Sequence, residues 1–160
     1  MKIAALQTVS TPDVDRNLEA AARLIGEAVR QGAQLVSLPE YFCLMGQRDS
    51  DKLAHAEVPG EGPIQSFLAE QAKQHGLWLI GGTLPLRCAT PERARNACCV
   101  FAPDGTLAAR YDKIHLFRFE TERESYDEAR VLEAGSAPVA VQAGEWRVGL
   151  SVCYDLRFPE

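Results

Sequence analysis

KIAALQTVSTPDVDRNLEAAARLIGEAVRQGAQLVSLPE, residues 2–40, holds two apolar runs joined by one long amphipathic run, and this pattern sets the fold class. Lys2 to Thr8 alternates loosely between apolar and polar residues and predicts an opening strand. Thr11-Pro12-Asp13 supplies a helix start, and Val14, Leu18, Ala21, Ile25, Ala28 and Val29 then recur at spacings of three and four. That spacing lines one face of a helix, with Gly32 placed as its stop. Gln34 to Leu38 is a short apolar strand ended by Pro39. Two strands joined through a helical crossover predict parallel pairing.

Working outward, Gly62-Pro63 signals a second helix, because proline is favoured at the first helical position. Its inward face is Ile64, Phe67, Leu68 and Ala72, and Gly76 ends it. Leu77 to Gly81 reads as a third strand. The rhythm then changes. Ala94 to Ala102, the turn Pro103-Asp104-Gly105 and Thr106 to Tyr111 predict a hairpin. Residues 118–137 are charged and irregular and read as a long surface loop. Val139 to Gln142, the turn Ala143-Gly144-Glu145 and Trp146 to Val152 predict a second hairpin, whose final strand carries Cys153. The order β-α-β-α-β followed by hairpins places the chain in the α/β class with an antiparallel part.

The 160 residues fit one domain able to bury roughly 70% of its extended surface. Hydrophobic residues at 46% and charged residues at 24% exclude a disordered chain. A net charge of -5 argues against nucleic acid and anionic membrane as partners. No apolar run approaches the ~20 residues of a membrane span, and the start is too short for a signal peptide. A cytoplasmic protein is therefore expected. The 5 cysteines include no Cys-x-x-Cys pair and are read as thiols, while His55, His75 and His115 are too scattered for a metal motif.

In open α/β sheets, chemistry gathers at the carboxyl ends of the strands. Three reactive residues fall there: Glu40 in SLPEYF, Lys113 in YDKIHLF and Cys153 in GLSVCYD. An acid, an amine and a thiol suit nucleophilic attack on a carbon bonded to nitrogen. A thiol with a pKa near ~8.5 needs a base at neutral pH, and the oxyanion formed by attack needs a fixed cation and a backbone N–H. A sharp turn at Cys153 would expose the thiol and aim the Tyr154 N–H at that oxygen. Against this stands the ordinary fate of cysteine in an apolar strand, burial as an inert core residue. Cys43, Cys88, Cys98 and Cys99 are read that way. Sequence spacing alone does not bring Glu40, Lys113 and Cys153 together.

The phrases LVSLPEYF, YDKIHLF and GLSVCYDLRFPE, with KIAALQTVSTPDVDRNL and GGTLP, resemble the nitrilase superfamily of carbon–nitrogen hydrolases. The similarity is greatest to its amidase branch of ω-amidases and deaminated glutathione amidases, and it runs from Met1 to Glu160. The resemblance implies that Glu40 is the general base, that Lys113 stabilises the oxyanion and that Cys153 is the nucleophile. It implies that Glu128, seven residues before Gly135, orients the lysine or the leaving ammonia; Glu120, Glu122 and Glu124 lie nearby, and the ordinary reading of such an acidic cluster, a solvated loop, is taken for them. The implied reaction releases ammonia and a carboxylic acid from a small-molecule amide through a cysteine thioester, with no metal or organic cofactor.

The family fold is a four-layer α-β-β-α sandwich longer than this chain. Residues 1–160 are thus expected to be the N-terminal part of one carbon–nitrogen hydrolase domain, truncated at its middle, with a homodimer implied for the full length. The competing expectation is a catalytically incompetent fragment or interaction module. The loop LFRFETERESYDEARV differs from that of the ω-amidases and leaves the choice of amide open.

Overall fold

Asp13 opens the first helix as its position predicts: its side chain accepts the Arg16 N–H at 3.1 Å. The computed structural model describes residues 1–159. In it, strand β1 (Ile3–Ala5) leads to α1 (Val14–Arg30) and then β2 (Leu35–Ser37). A short helix α2 (Asp51–Ala54) and α3 (Pro63–His75) precede β3 (Trp78–Ile80). Strands β4 (Leu84–Arg87), β5 (Ala94–Phe101) and β6 (Leu107–Asp112) follow, and β7 (Arg118–Glu120) and β8 (Ser125–Asp127) form a small hairpin. The 3-10 turn Glu128–Arg130, the hairpin β9 (Ala140–Ala143) and β10 (Trp146–Gly149), and the 3-10 turn Cys153–Arg157 complete the described chain.

The β-α-β reading holds. β1, β2 and β3 pair in parallel, Ile3 opposite Leu35 and Leu35 opposite Trp78. Ala21, Ile25 and Ala28 of α1 and Ile64, Leu68 and Ala72 of α3 bury against Val36, Leu79, Cys99 and Phe101 of the sheet. Each large apolar side chain so covered contributes about 1.5–3 kcal/mol, which fixes both helices on one face. Antiparallel β5 pairs with β3, β4 and β6. β6 therefore runs in the same direction as β2, and the segments following both strands, which carry Lys113 and Glu40, emerge at one edge.

Four expectations need correction. β4 was not foreseen, because Pro85 interrupts a strand reading; Leu84 and Leu86 are nevertheless fully buried. Residues 118–137 are not one irregular loop, since β7, β8 and the turn Glu128–Arg130 lie within them; the cross-strand pairs Phe119–Tyr126 and Glu120–Ser125 organise a charged, exposed hairpin. Cys88 is only partly buried, its thiol donating to the carbonyls of Thr90 and Arg93. Finally, β10 ends at Gly149, so Cys153 lies on the turn beyond that strand rather than within it.

The start of α3 depends on a buried acid. Glu57 accepts the Ile64 N–H at 2.6 Å, the Gln65 N–H at 3.1 Å and the Gln65 side-chain amide at 3.0 Å. Gly62, with φ +129°, has no room for a side chain there, because a Cβ would collide with the Glu57 carboxylate. Glu57→Ala leaves buried donors unpaired and is expected to cost about 2 kcal/mol, lowering Tm by about 4–8 °C in a thermal melt.

Candidate functional site

Lys113 leaves the end of β6 almost wholly buried, at 1% exposure. An isolated ammonium at that depth would be costly, so its partners decide its charge. Its Nζ donates to Glu40 Oε1 at 3.0 Å and to Glu128 Oε1 and Oε2 at 3.2 and 2.9 Å. Burial pulls the lysine pKa down, but hydrogen bonding and charge from Glu128 and Glu40 outweigh it and hold the value above that of a free lysine. Lys113 is a fixed cation at neutral pH.

The two carboxylates reach it by different routes. Glu40 follows β2 past Pro39, where the Leu38 N–H bonds to the Ile80 carbonyl at 2.9 Å. Gly82, with φ +55°, faces the Pro39 carbonyl so closely that a Cβ would overlap it, so glycine is required for this approach. Tyr41 next to Glu40 takes a positive φ of 54°, and its N–H is held by the Thr83 hydroxyl at 2.9 Å. Glu128 comes from the 3-10 turn and is buried, its Oε2 also accepting the Phe117 N–H at 2.8 Å. Glu120, Glu122 and Glu124 are exposed. Gly135 donates its N–H to the Lys113 carbonyl at 2.9 Å and lies against Asp112, where a side chain would not fit.

Cys153 sits after extended Val152 and has φ +48°, a left-handed conformation that costs a non-glycine residue roughly 1–2 kcal/mol. The reversal turns the thiol toward a small recess that Glu40, Gly82, Thr83, Cys98 and Ser151 also line. Although Cys153 is exposed, partial burial of its thiol and then the nearby Glu40 carboxylate push its pKa up, and Lys113 offsets this only in part. The thiol is thus protonated at neutral pH, so nucleophilic attack requires a base. Tyr154, half buried, packs its ring edge-on against Phe117 and Phe158, with centroids 5.2 and 5.4 Å away.

Glu40, Lys113, Glu128 and Cys153, far apart in sequence, therefore meet at one sheet edge. Two further contributors escaped the sequence reading. Asn96 of β5, 1% exposed, donates its amide to Glu40 Oε1 at 2.7 Å. Its only sequence signal is a polar residue within a strand that is, Arg95 apart, buried and apolar. Asp155 is buried and accepts four hydrogen bonds from Tyr111, His115 and Val152. Among the described residues no three His, Cys, Asp or Glu side chains are placed to hold a metal ion, and no helix is long and apolar enough to cross a membrane.

The hydrogen bonds of Asp155 also set an acid dependence. Burial raises its carboxyl, but bonds from Tyr111, the His115 and Val152 amides and the His115 ring outweigh burial and hold it below the ordinary carboxylate range. The folded value lies below the unfolded one near ~3.9, so this stabilisation is present above about pH 4 and lost as pH falls through the folded value. Asp155→Asn is expected to show a smaller fall in Tm between about pH 5 and pH 2 than the parent chain, as read by circular dichroism melts.

A buried ammonium held between two carboxylates, beside a turned-out thiol at the edge of a mixed α/β sheet, defines a cysteine-centred α/β chain of the nitrilase type. The chain belongs to the carbon-nitrogen hydrolase family, whose profile matches residues 2–160. It is 36% identical over 162 residues to the chloroplastic omega-amidase of Arabidopsis thaliana, covering 99% of this chain and 43% of that protein. It is 38% identical over 161 residues to the deaminated glutathione amidase of Synechocystis sp. (strain PCC 6803 / GT-S), covering 98% and 58%. The solved amidase from Nesterenkonia sp. superposes with a TM-score of 0.82 at 28% identity, over 99% of this chain and 57% of that one. A mutant of that amidase carries the product of Michael addition of acrylamide at its active-site cysteine. This chain spans about half the length of the curated relatives it matches.

Proposed function

We propose that this chain carries the catalytic centre of a thiol amidase, which hydrolyses the C–N bond of a small linear carboxamide to ammonia and a carboxylic acid. The observation that carries this reading is the Lys113 ammonium bonded to both Glu40 and Glu128 beside the Cys153 turn. Its family membership and the amidases it resembles support the same class of reaction.

Both described side-chain hydrogen bonds to Glu40 fall on Oε1, from Asn96 and Lys113. They orient the carboxylate and leave Oε2 for the Cys153 proton. As that proton moves to Glu40, Sγ bonds to the carbonyl carbon and the C=O electron pair moves onto oxygen. Lys113 and the Tyr154 N–H stabilise the oxyanion, an effect of the size that costs a hundredfold or more in rate when one donor is removed. The tetrahedral species collapses, the C–N bond breaks, and the departing nitrogen takes the proton from Glu40 as ammonia. A thioester remains on Cys153. Glu40 then takes a proton from water, whose oxygen attacks the thioester; the C–S bond breaks, and the sulfur recovers the proton. Glu128 keeps Lys113 charged and aimed throughout.

The substrates this reading favours are small linear amides of the kinds named for ω-amidases and deaminated glutathione amidase. Ammonia release from a panel of short carboxamides tests it. Turnover that stops when iodoacetamide modifies Cys153 is the expected result. Ammonia release that continues after complete Cys153 modification would overturn the reading. Binding of amides without turnover would point instead to an interaction module.

A further inference from the structure

We propose that Asp155 is a positioning residue that locks the Cys153 turn onto the segment bearing Lys113. The inference rests on the reading of Cys153 as the nucleophile. Its starting point is a weakness in how the turn is held. β10 ends at Gly149 and pairs only with β9, so among the described residues no strand hydrogen bonds tie this hairpin to the main sheet. Val152 packs with Cys98 and Tyr111, but apolar contact is non-directional and does not orient a left-handed cysteine. A backbone in that conformation persists only where its surroundings over-determine it.

Asp155 supplies the missing constraints. Its Oδ2 accepts the Val152 N–H at 2.9 Å, which closes the turn on itself across Cys153. The same oxygen accepts the Tyr111 hydroxyl at 2.6 Å. Its Oδ1 accepts the His115 N–H at 2.9 Å and the His115 Nδ1 at 2.7 Å. A carboxylate has about four lone-pair sites, and all are used here. Three of the four donors come from Tyr111 and His115, which stand two residues before and two residues after Lys113. The Tyr111 hydroxyl in turn accepts the Ile114 N–H at 3.2 Å, and the His115 ring stacks on Phe158 with centroids 3.8 Å apart and planes at 6°.

An acid that served only as a helix cap would place its oxygens on one nearby helix end, as Glu57 does on the start of α3. Asp155 spends most of its capacity on a segment 40 and 44 residues earlier in the chain. The bonds therefore fix a distance between two reactive groups as well as a local shape. With them, Sγ stays beside Glu40, Lys113 and Glu128; without them, the turn is free to swing the thiol toward solvent.

The test follows iodoacetamide alkylation of Cys153 across pH by peptide mass spectrometry, with no substrate present. In the parent chain partial burial of the thiol, then the Glu40 and Glu128 carboxylates, hold the midpoint up, and Lys113 acts against them. Asp155→Asn is expected to move that midpoint down by about half a pH unit or more, toward an ordinary exposed thiol. Tyr111→Phe keeps the carboxylate charge and is expected to shift the midpoint in the same direction by less. Glu57→Ala is the structural control, lowering Tm without moving the midpoint. An unmoved midpoint in both Asp155→Asn and Tyr111→Phe, with Tm lowered as in Glu57→Ala, would reduce Asp155 to a structural cap and overturn the proposal. If Asp155→Asn does not fold, Tyr111→Phe decides alone. Because alkylation needs no amide turnover, this result stands apart from the fate of the amidase reading.

Discussion

Lys113→Met is expected to destabilise the chain more than any other single substitution at this edge, by about 3–5 kcal/mol, because it leaves two carboxylates facing one another without their shared cation. At this chain length that loss corresponds to a Tm lower by roughly 6–20 °C. The methionine fills most of the lysine volume, so the loss reflects the stranded charges rather than a cavity. Glu128 is the more exposed to this penalty, since its side chain is 6% accessible against 23% for Glu40. A double substitution checks the origin of the effect. Lys113→Met with Glu128→Gln is expected to recover part of the lost Tm, a favourable coupling between residues in direct contact. Additive losses in the double variant would contradict the ion-pair account.

Cys153→Ala is expected to do the reverse: Tm within a degree or two of the parent, and amide hydrolysis lower by roughly 10⁴-fold or more. Cys153 is exposed and contributes little packing, so its substitution removes the thiol and little else. Lys113→Met is expected to abolish turnover as well, but only together with the loss of stability. Parallel thermal melts and ammonia assays separate the two cases. A Cys153→Ala variant that keeps even a tenth of the parent's turnover would remove the thiol from the reaction.

The parts of the fold legible in the sequence are those whose burial leaves a periodic trace. α1 and α3 show apolar residues at spacings of three and four because one face of each lies on the sheet, and Asp13 and Gly76 mark boundaries through cap geometry. β4 left no such trace, because Leu84, Pro85 and Leu86 are all buried and a proline argues against a strand. β7 and β8 were hidden for a different reason, since β7 is wholly exposed and each strand has 3 residues, too few to show a period. At the site, Glu40, Lys113, Glu128 and Cys153 were legible through the phrases surrounding them. Asn96 and Asp155 were not, because each acts through partners distant in the chain, Asn96 on Glu40 and Asp155 on Tyr111 and His115. Nor does local pattern specify the positive φ at Cys153 or Tyr41, which the tertiary contacts impose.

The central claim is that Glu40, Lys113 and Cys153 act as one unit to form and then release a thioester. Acid-quenched peptide mass spectrometry during turnover of a short linear amide tests it most directly. The account predicts an acyl group on the Cys153 peptide, absent from the peptides carrying Cys43, Cys88, Cys98 and Cys99, with ammonia released in equal amount in the first turnover. Ammonia released while the Cys153 peptide stays unmodified, or an acyl group on another cysteine, would contradict it.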